Sequence, residues 1–252
     1  TLGQYTSNGT LHAISIVGGK VVDKWSVPGG VVNPAAQIAG GDIDGKPGNE
    51  VVACGTDGHV HAFRGDGTPF WTSTTTVGCS FPSIADLDGD GVPEVIVEGG
   101  ILDGATGATT ASFSTPLAGS FVVSDIDGDG KLDVVTSSQG FHSDGTLFVD
   151  TGVPGTWPAI GDFDKNGVPE IVGCMNPGPS GTSCCDAVAQ NTGVVAYNAD
   201  GTVLWTQPDT TKVHCGYEAP VIGDVDGDGH PEVLVGLTLL DGATGAVKKE
   251  LD

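Results

Sequence analysis

The sequence predicts an all-β fold, a β-propeller of four-stranded blades, on three observations. An acidic turn between two short apolar runs recurs five times, glycine is abundant, and no segment keeps a 3.6-residue period for three turns. The five copies read QIAGGDIDGKPGNEVVAC, SIADLDGDGVPEVIVEG, FVVSDIDGDGKLDVVTS, AIGDFDKNGVPEIVGC and VIGDVDGDGHPEVLVGL. Their first aspartates, Asp42, Asp86, Asp125, Asp162 and Asp224, lie 44, 39, 37 and 62 residues apart.

Each period contains four strands. The runs around the acidic turn, such as EVVAC, EVIVE and EIVGC, are short and β-branched, which suits strands. Two further runs follow, separated by turn chemistry such as Asn-Ala-Asp-Gly, Gly-Asp-Gly and Asp-Gly-Ala-Thr-Gly, where glycine or Asx supplies positive φ. A four-stranded unit about every 40 residues is the unit of a propeller. The expected organisation is one domain over 1–252, with repeat units at about 1–33, 34–77, 78–116, 117–154, 155–213 and 214–252. Six blades fit best, with seven or a share of a larger propeller as alternatives. The first unit has three of the four strands and no acidic turn.

Composition removes other classes. Glycine accounts for 42 of 252 residues without a G-X-Y period, so collagen is excluded and tight turns are expected. No apolar run approaches 18 residues, so no membrane-inserted helix is expected. The chain opens at Thr1 without a leader pattern, and any signal peptide is expected to have been removed. Nine Lys+Arg against 32 Asp+Glu give a net charge of −23, which disfavours nucleic acid and anionic lipid as partners.

The acids are concentrated in the repeated turns, which hold 18 of the 32. The pattern Asp-x-Asp-Gly-Asp-Gly-x-Pro-Glu puts carboxylates at positions 1, 3, 5 and 9, and a backbone carbonyl at position 7 can join them. That hard-oxygen set suits Ca2+ better than Mg2+, which prefers to keep its waters. The ligands expected are Asp86, Asp88, Asp90, Val92 carbonyl and Glu94; Asp125, Asp127, Asp129, Lys131 carbonyl and Asp133; Asp162, Asp164, Asn166, Val168 carbonyl and Glu170; and Asp224, Asp226, Asp228, His230 carbonyl and Glu232. The first loop offers Asp42, Asp44 and Glu50 but carries Lys46 at position 5, and makes a weaker fifth site. Without a cation, carboxylates this close repel one another.

These loops resemble the FG-GAP/VCBS family of integrin-α-like propellers, and the resemblance covers nearly the whole chain. It implies calcium in a structural role, with the loops joining the first two strands of each blade. The Phe-Gly and Gly-Ala-Pro signatures of the family are replaced by SFPSIAD and TWPAIGD.

Six cysteines, an even number, point to an oxidising, extracellular compartment, secreted or at the cell surface. Cys54 and Cys174 each follow the first loop aspartate by 12 residues, and Cys79 and Cys215 each precede the next unit's first strand. Equivalent positions predict Cys54–Cys79 and Cys174–Cys215, leaving Cys184–Cys185 as a vicinal pair; Cys174–Cys184 with Cys185–Cys215 is the rival set. Trp25, Trp71 and Trp205 close the fourth strand of three units and are expected between blades, whereas Trp157 opens a first strand.

No G-x-S-x-G, nucleotide-binding glycine turn or zinc-type Cys/His spacing occurs, and no catalytic residues are assigned. The function expected is a binding or adhesion module for an extracellular glycan or protein. The alternatives are a structural subunit self-associating through open strand edges, and a polysaccharide-active, lyase-like enzyme or its non-catalytic part. Some relatives with such loops are lyases, but a uronate subsite needs basic residues that are scarce here. The Pro/Gly/Ser-rich insertion between Cys174 and Ala196 is the expected contact region for a partner.

Overall fold

The computed structural model describes residues 9–115, 117, 120–153, 155–175, 193–208, 211–213 and 219–250. No helix occurs among them. The chain divides into two compact units, Thr1–Pro116 and Leu117–Asp252.

The first unit holds a two-stranded sheet, β1 (Gly9–Val17) and β2 (Lys20–Val32), and two four-stranded sheets. These are β3 (Ile38–Gly41), β4 (Glu50–Cys54), β5 (Val60–Phe63) and β6 (Pro69–Thr72), then β7 (Ser83–Ala85), β8 (Glu94–Val97), β9 (Gly100–Leu102) and β10 (Thr109–Ala111). The second unit holds three: β11 (Val122–Ser124), β12 (Asp133–Val135), β13 (Gln139–Phe141) and β14 (Leu147–Asp150); β15 (Gly155–Gly161), β16 (Glu170–Met175), β17 (Val194–Tyr197) and β18 (Val203–Gln207); and β19 (Val221–Gly223), β20 (Glu232–Val235), β21 (Thr238–Asp241) and β22 (Val247–Glu250). Every four-stranded sheet is an antiparallel meander in chain order. First strands of successive sheets lie side by side, β3 with β7 in one unit, and β11 with β15 and β15 with β19 in the other.

Burial follows position in the sheet. The second strands are nearly continuous β-branched runs and are mostly buried on both faces, as in β12 and β16. The fourth strands are more exposed than the second, as in β14 and β22, and are short. Between sheets the interiors interlock. Ile43, Val52 and Val60 pack against Val95, Val97 and Leu102 in the first unit. Phe163, Val172 and Val194 pack against Val233, Val235 and Leu240 in the second. Burial of a side chain such as Phe163, with no exposed surface, contributes about 2–3 kcal/mol.

Tryptophans in the last strand of three sheets, β2, β6 and β18, bridge successive sheets. Trp25 donates its indole N–H to the Gly65 carbonyl at 2.9 Å, Trp71 to Gly104 at 2.7 Å, and Trp205 to Gly242 at 2.6 Å. Each acceptor belongs to the turn between the third and fourth strands of the next sheet. Trp157 differs: it adopts φ 54° at an irregularity in β15, between Thr156 and Ala159.

Candidate metal centre

All five acidic loops occupy one topological place, the connection from first to second strand. The acid at position 9 opens the second strand and pairs with the residue just before the loop: Glu50 with Gly41, Glu94 with Ala85, Asp133 with Ser124, Glu170 with Gly161 and Glu232 with Gly223. It is anchored by accepting the backbone N–H of position 2, from Ile43 (3.2 Å), Leu87 (2.8 Å), Ile126 (3.1 Å), Phe163 (2.6 Å) and Val225 (2.8 Å).

The other acids are held by the loop's own backbone. Asp86 accepts N–H bonds from Gly89 and Gly91, Asp88 from Asp90, and Asp90 from Val92. Asp125, Asp127 and Asp129 repeat this with Gly128, Gly130, Asp129 and Lys131 as donors. So do Asp224, Asp226 and Asp228 with Gly227, Gly229, Asp228 and His230. In the fourth loop Asp162 accepts from Gly167, Asp164 from Asn166 and Asn166 from Val168. Position 4 of the three all-glycine loops sits at φ 78°, at Gly89, Gly128 and Gly227, and Lys165 adopts φ 61° at the same place. These bonds orient the carboxylates without neutralising them.

The result is a set of oxygen clusters. Asp86, Asp88 and Asp90 bring carboxylate oxygens within 4.8 Å of one another, as do Asp125, Asp127 and Asp133; Asp162, Asp164 and Glu170; and Asp42, Asp44 and Glu50. Burial pushes Glu94 above the usual carboxylate range, with the charges of Asp88, Asp90 and Asp86 adding to it. Glu170 is raised in the same way, by burial and then by Asp164 and Asp162, and Asp133 is raised chiefly by burial. Asp162 Oδ1 is buried with no hydrogen-bond partner. An acceptor left unpaired among other carboxylates is costly unless a cation reaches it. The donor set is hard oxygen throughout, so these residues fit a divalent ion such as Ca2+. A bound ion would neutralise and cross-link the loop.

Three loops already face a basic side chain of the protein, which sequence reasoning missed. Asp44 Oδ2 lies 3.1 Å from Lys46 Nζ and 3.3 Å from Arg64 Nη1, and the Lys46 bond holds the Asp44 carboxyl below its usual range. His142 Nδ1 stands 3.2 Å from Asp133 Oδ1 and 3.7 Å from Asp127 Oδ2, and together with Asp127 and Asp129 it forms a further ligand group. Lys248 Nζ is 2.7 Å from both Asp226 Oδ2 and Glu232 Oε1. Arg64 and His142 each directly follow the third strand of their units, in the parallel segments FRGDG and FHSDG, and that parallel was the available signal. Rings cover both: Phe70 under Arg64 at 4.0 Å and Phe148 stacked on His142 at 4.4 Å.

Cys54 and Cys79 form a disulfide with Cα atoms 5.5 Å apart, tying the end of β4 to the approach to β7. Cys174 is also disulfide-bonded. Its expected partners Cys215 and Cys184, together with Cys185 and most of the insertion after Cys174, lie outside the described residues.

Solved structures share this architecture. The Vibrio cholerae biofilm matrix protein Bap1 superposes with a TM-score of 0.69 at 17% identity, over 88% of this chain and 38% of its own. The rhamnogalacturonan lyase YesW gives 0.53 at 15% identity, over 99% and 67%. BamB from Moraxella catarrhalis gives 0.50 at 14% identity, over 97% and 75%. The blades are those of a β-propeller. No family model and no curated protein sequence matches the chain. At these identities the likeness is one of fold, and the chain spans well under half of the Bap1 chain.

Proposed function

We propose that the chain is a calcium-stiffened propeller of the FG-GAP/VCBS kind, working outside the cell as a binding or adhesion module for a glycan or protein. One observation carries the reading: the loop acids, more than half of all acids in the chain, are turned back onto their own loops by backbone N–H bonds. Groups committed in this way stiffen a scaffold and are not presented to a substrate. Bap1, a biofilm matrix protein, and the rhamnogalacturonan lyases make an extracellular carbohydrate a reasonable ligand class, and the Cys54–Cys79 disulfide suits an oxidising compartment. Val92, Lys131 and Val168 are proposed to add their carbonyls to the ion, and the insertion between Cys174 and Ala196 to contact the partner.

The test is binding of the calcium-loaded protein to immobilised acidic and neutral polysaccharides, with product analysis of the same incubations. Retention without cleavage supports a module; release of unsaturated uronate ends would make it a lyase. Replacing residues 176–190 by a short Gly-Ser turn should abolish retention if the insertion makes the contact.

A second reading, self-association, has its own observation. The β1–β2 sheet exposes Ile14, Ile16, Val17 and Val21 at 59%, 75%, 62% and 68%. An apolar hairpin of this kind suits addition of strands from another copy. Mass measured by light scattering across a dilution series tests it, and a constant monomer mass contradicts it.

A further inference from the structure

The fifth acidic loop differs from the second and fourth in what faces it. Lys248, in β22, places Nζ 2.7 Å from Asp226 Oδ2, 2.7 Å from Glu232 Oε1 and 3.4 Å from Asp228 Oδ2. Three of the four acids in this loop converge on one ammonium, and the Glu232 side chain is almost wholly buried there. The fourth, Asp224, is taken up by the N–H groups of Gly227 and Gly229. An ammonium carries three donors on a compact charge, which matches three surrounding carboxylates.

The position is peculiar to this unit. Lys248 follows the left-handed Gly245 by three residues, where the other units carry Phe70, Thr110, Phe148 and Leu204. Among the described residues no ion pair reaches the acids of loops 86–94 or 162–170, and in the latter Asp162 Oδ1 has no partner. One loop therefore has its positive charge attached to the chain, while two have theirs still to acquire.

We infer that Lys248 is a built-in cation that takes the place of calcium in the 224–232 loop. The last sheet closes its acidic turn without metal, whereas loops 86–94 and 162–170 depend on it. The inference rests on the calcium reading of those two loops. Calcium entering the fifth loop would have to expel an ammonium held by three carboxylates, at a cost the other two loops do not incur.

The experiment counts bound calcium by native mass spectrometry and follows thermal unfolding in EDTA, with calcium alone as the probe. Lys248→Met should bind one calcium more than the native chain, melt a few degrees lower in EDTA, and recover in calcium. Asp226→Asn in the native background should leave the count unchanged, and this decides the matter if Lys248→Met does not fold. Equal counts for the native chain and Lys248→Met, or loss of one calcium in Asp226→Asn, would overturn the inference. If neither form takes up calcium, the metal reading fails separately. The melting point in EDTA then decides: a fall in Lys248→Met keeps the lysine as the loop's cation, and no fall removes it.

Discussion

The ring of Trp71 lies where a side chain on Gly107 would have to go: a Cβ there would stand 2.5 Å from Trp71 Cε3. Gly107 also has φ +71°, which disfavours any side chain. The same pairing recurs between Trp25 and Gly67 and between Trp205 and Gly245, so the last-strand indole and the next sheet's turn glycine form one repeated joint.

Gly107→Ala should therefore destabilise the protein by about 2–4 kcal/mol, combining left-handed strain with overpacking. Urea unfolding measures it. Gly89→Ala, which meets no atom within 4 Å at φ +78°, should lose only the strain, about 1–2 kcal/mol. Equal losses would mean that the indole contact contributes nothing.

Lys165 holds the left-handed position that glycine fills in the four sister loops, at Gly45, Gly89, Gly128 and Gly227. Lys165→Gly should relieve that strain, offset in part by the entropy glycine adds to the unfolded chain, for a net gain of about 0.5–1 kcal/mol. A higher urea midpoint at unchanged slope is the expected result.

Much of this was legible because the chain repeats itself. The spacing of Asp42, Asp86, Asp125, Asp162 and Asp224 located the first and second strands, and equivalence of repeat positions identified Cys54 and Cys79 as partners. The turn dipeptides located the remaining hairpins. What could not be read was set by register across distance. Trp71 and Gly104 are 33 residues apart, and Lys248 meets Asp228 from 20 residues away, so no local pattern announces either contact. The opening sheet was also misleading: β2 runs past Trp25 to Val32 as a 13-residue strand, through Pro28. Trp157 reads as an ordinary strand residue, yet its backbone is left-handed.

The raised acids give a sign for pH. Glu94, Asp133 and Glu170 hold protons more tightly in the folded, metal-free protein than the ordinary values of 4.5 for Glu and 3.8 for Asp. Their contribution is full below those values and lost as pH rises through the folded pKa. Asp66, Asp144 and Asp200 are lowered, each chiefly by the threonine hydroxyl two residues on, and lose their contribution only as pH falls below 3.8. In EDTA the melting temperature should thus rise as pH falls from neutrality toward 4.5, and Glu170→Gln should flatten that slope. In calcium the trend should reverse, because protons compete with the metal. A metal-free melting temperature independent of pH would contradict the assignment.

The central claim is that the acidic loops 86–94 and 162–170 are closed by calcium, and thermal unfolding in calcium against EDTA tests it most directly. A ligand at a hundredfold excess over its Kd adds about 2.7 kcal/mol per site, so two loops without a protein cation contribute about 5 kcal/mol. For a chain of this size that raises Tm by about 10–20 °C. Superimposable unfolding curves in calcium and in EDTA would contradict the claim.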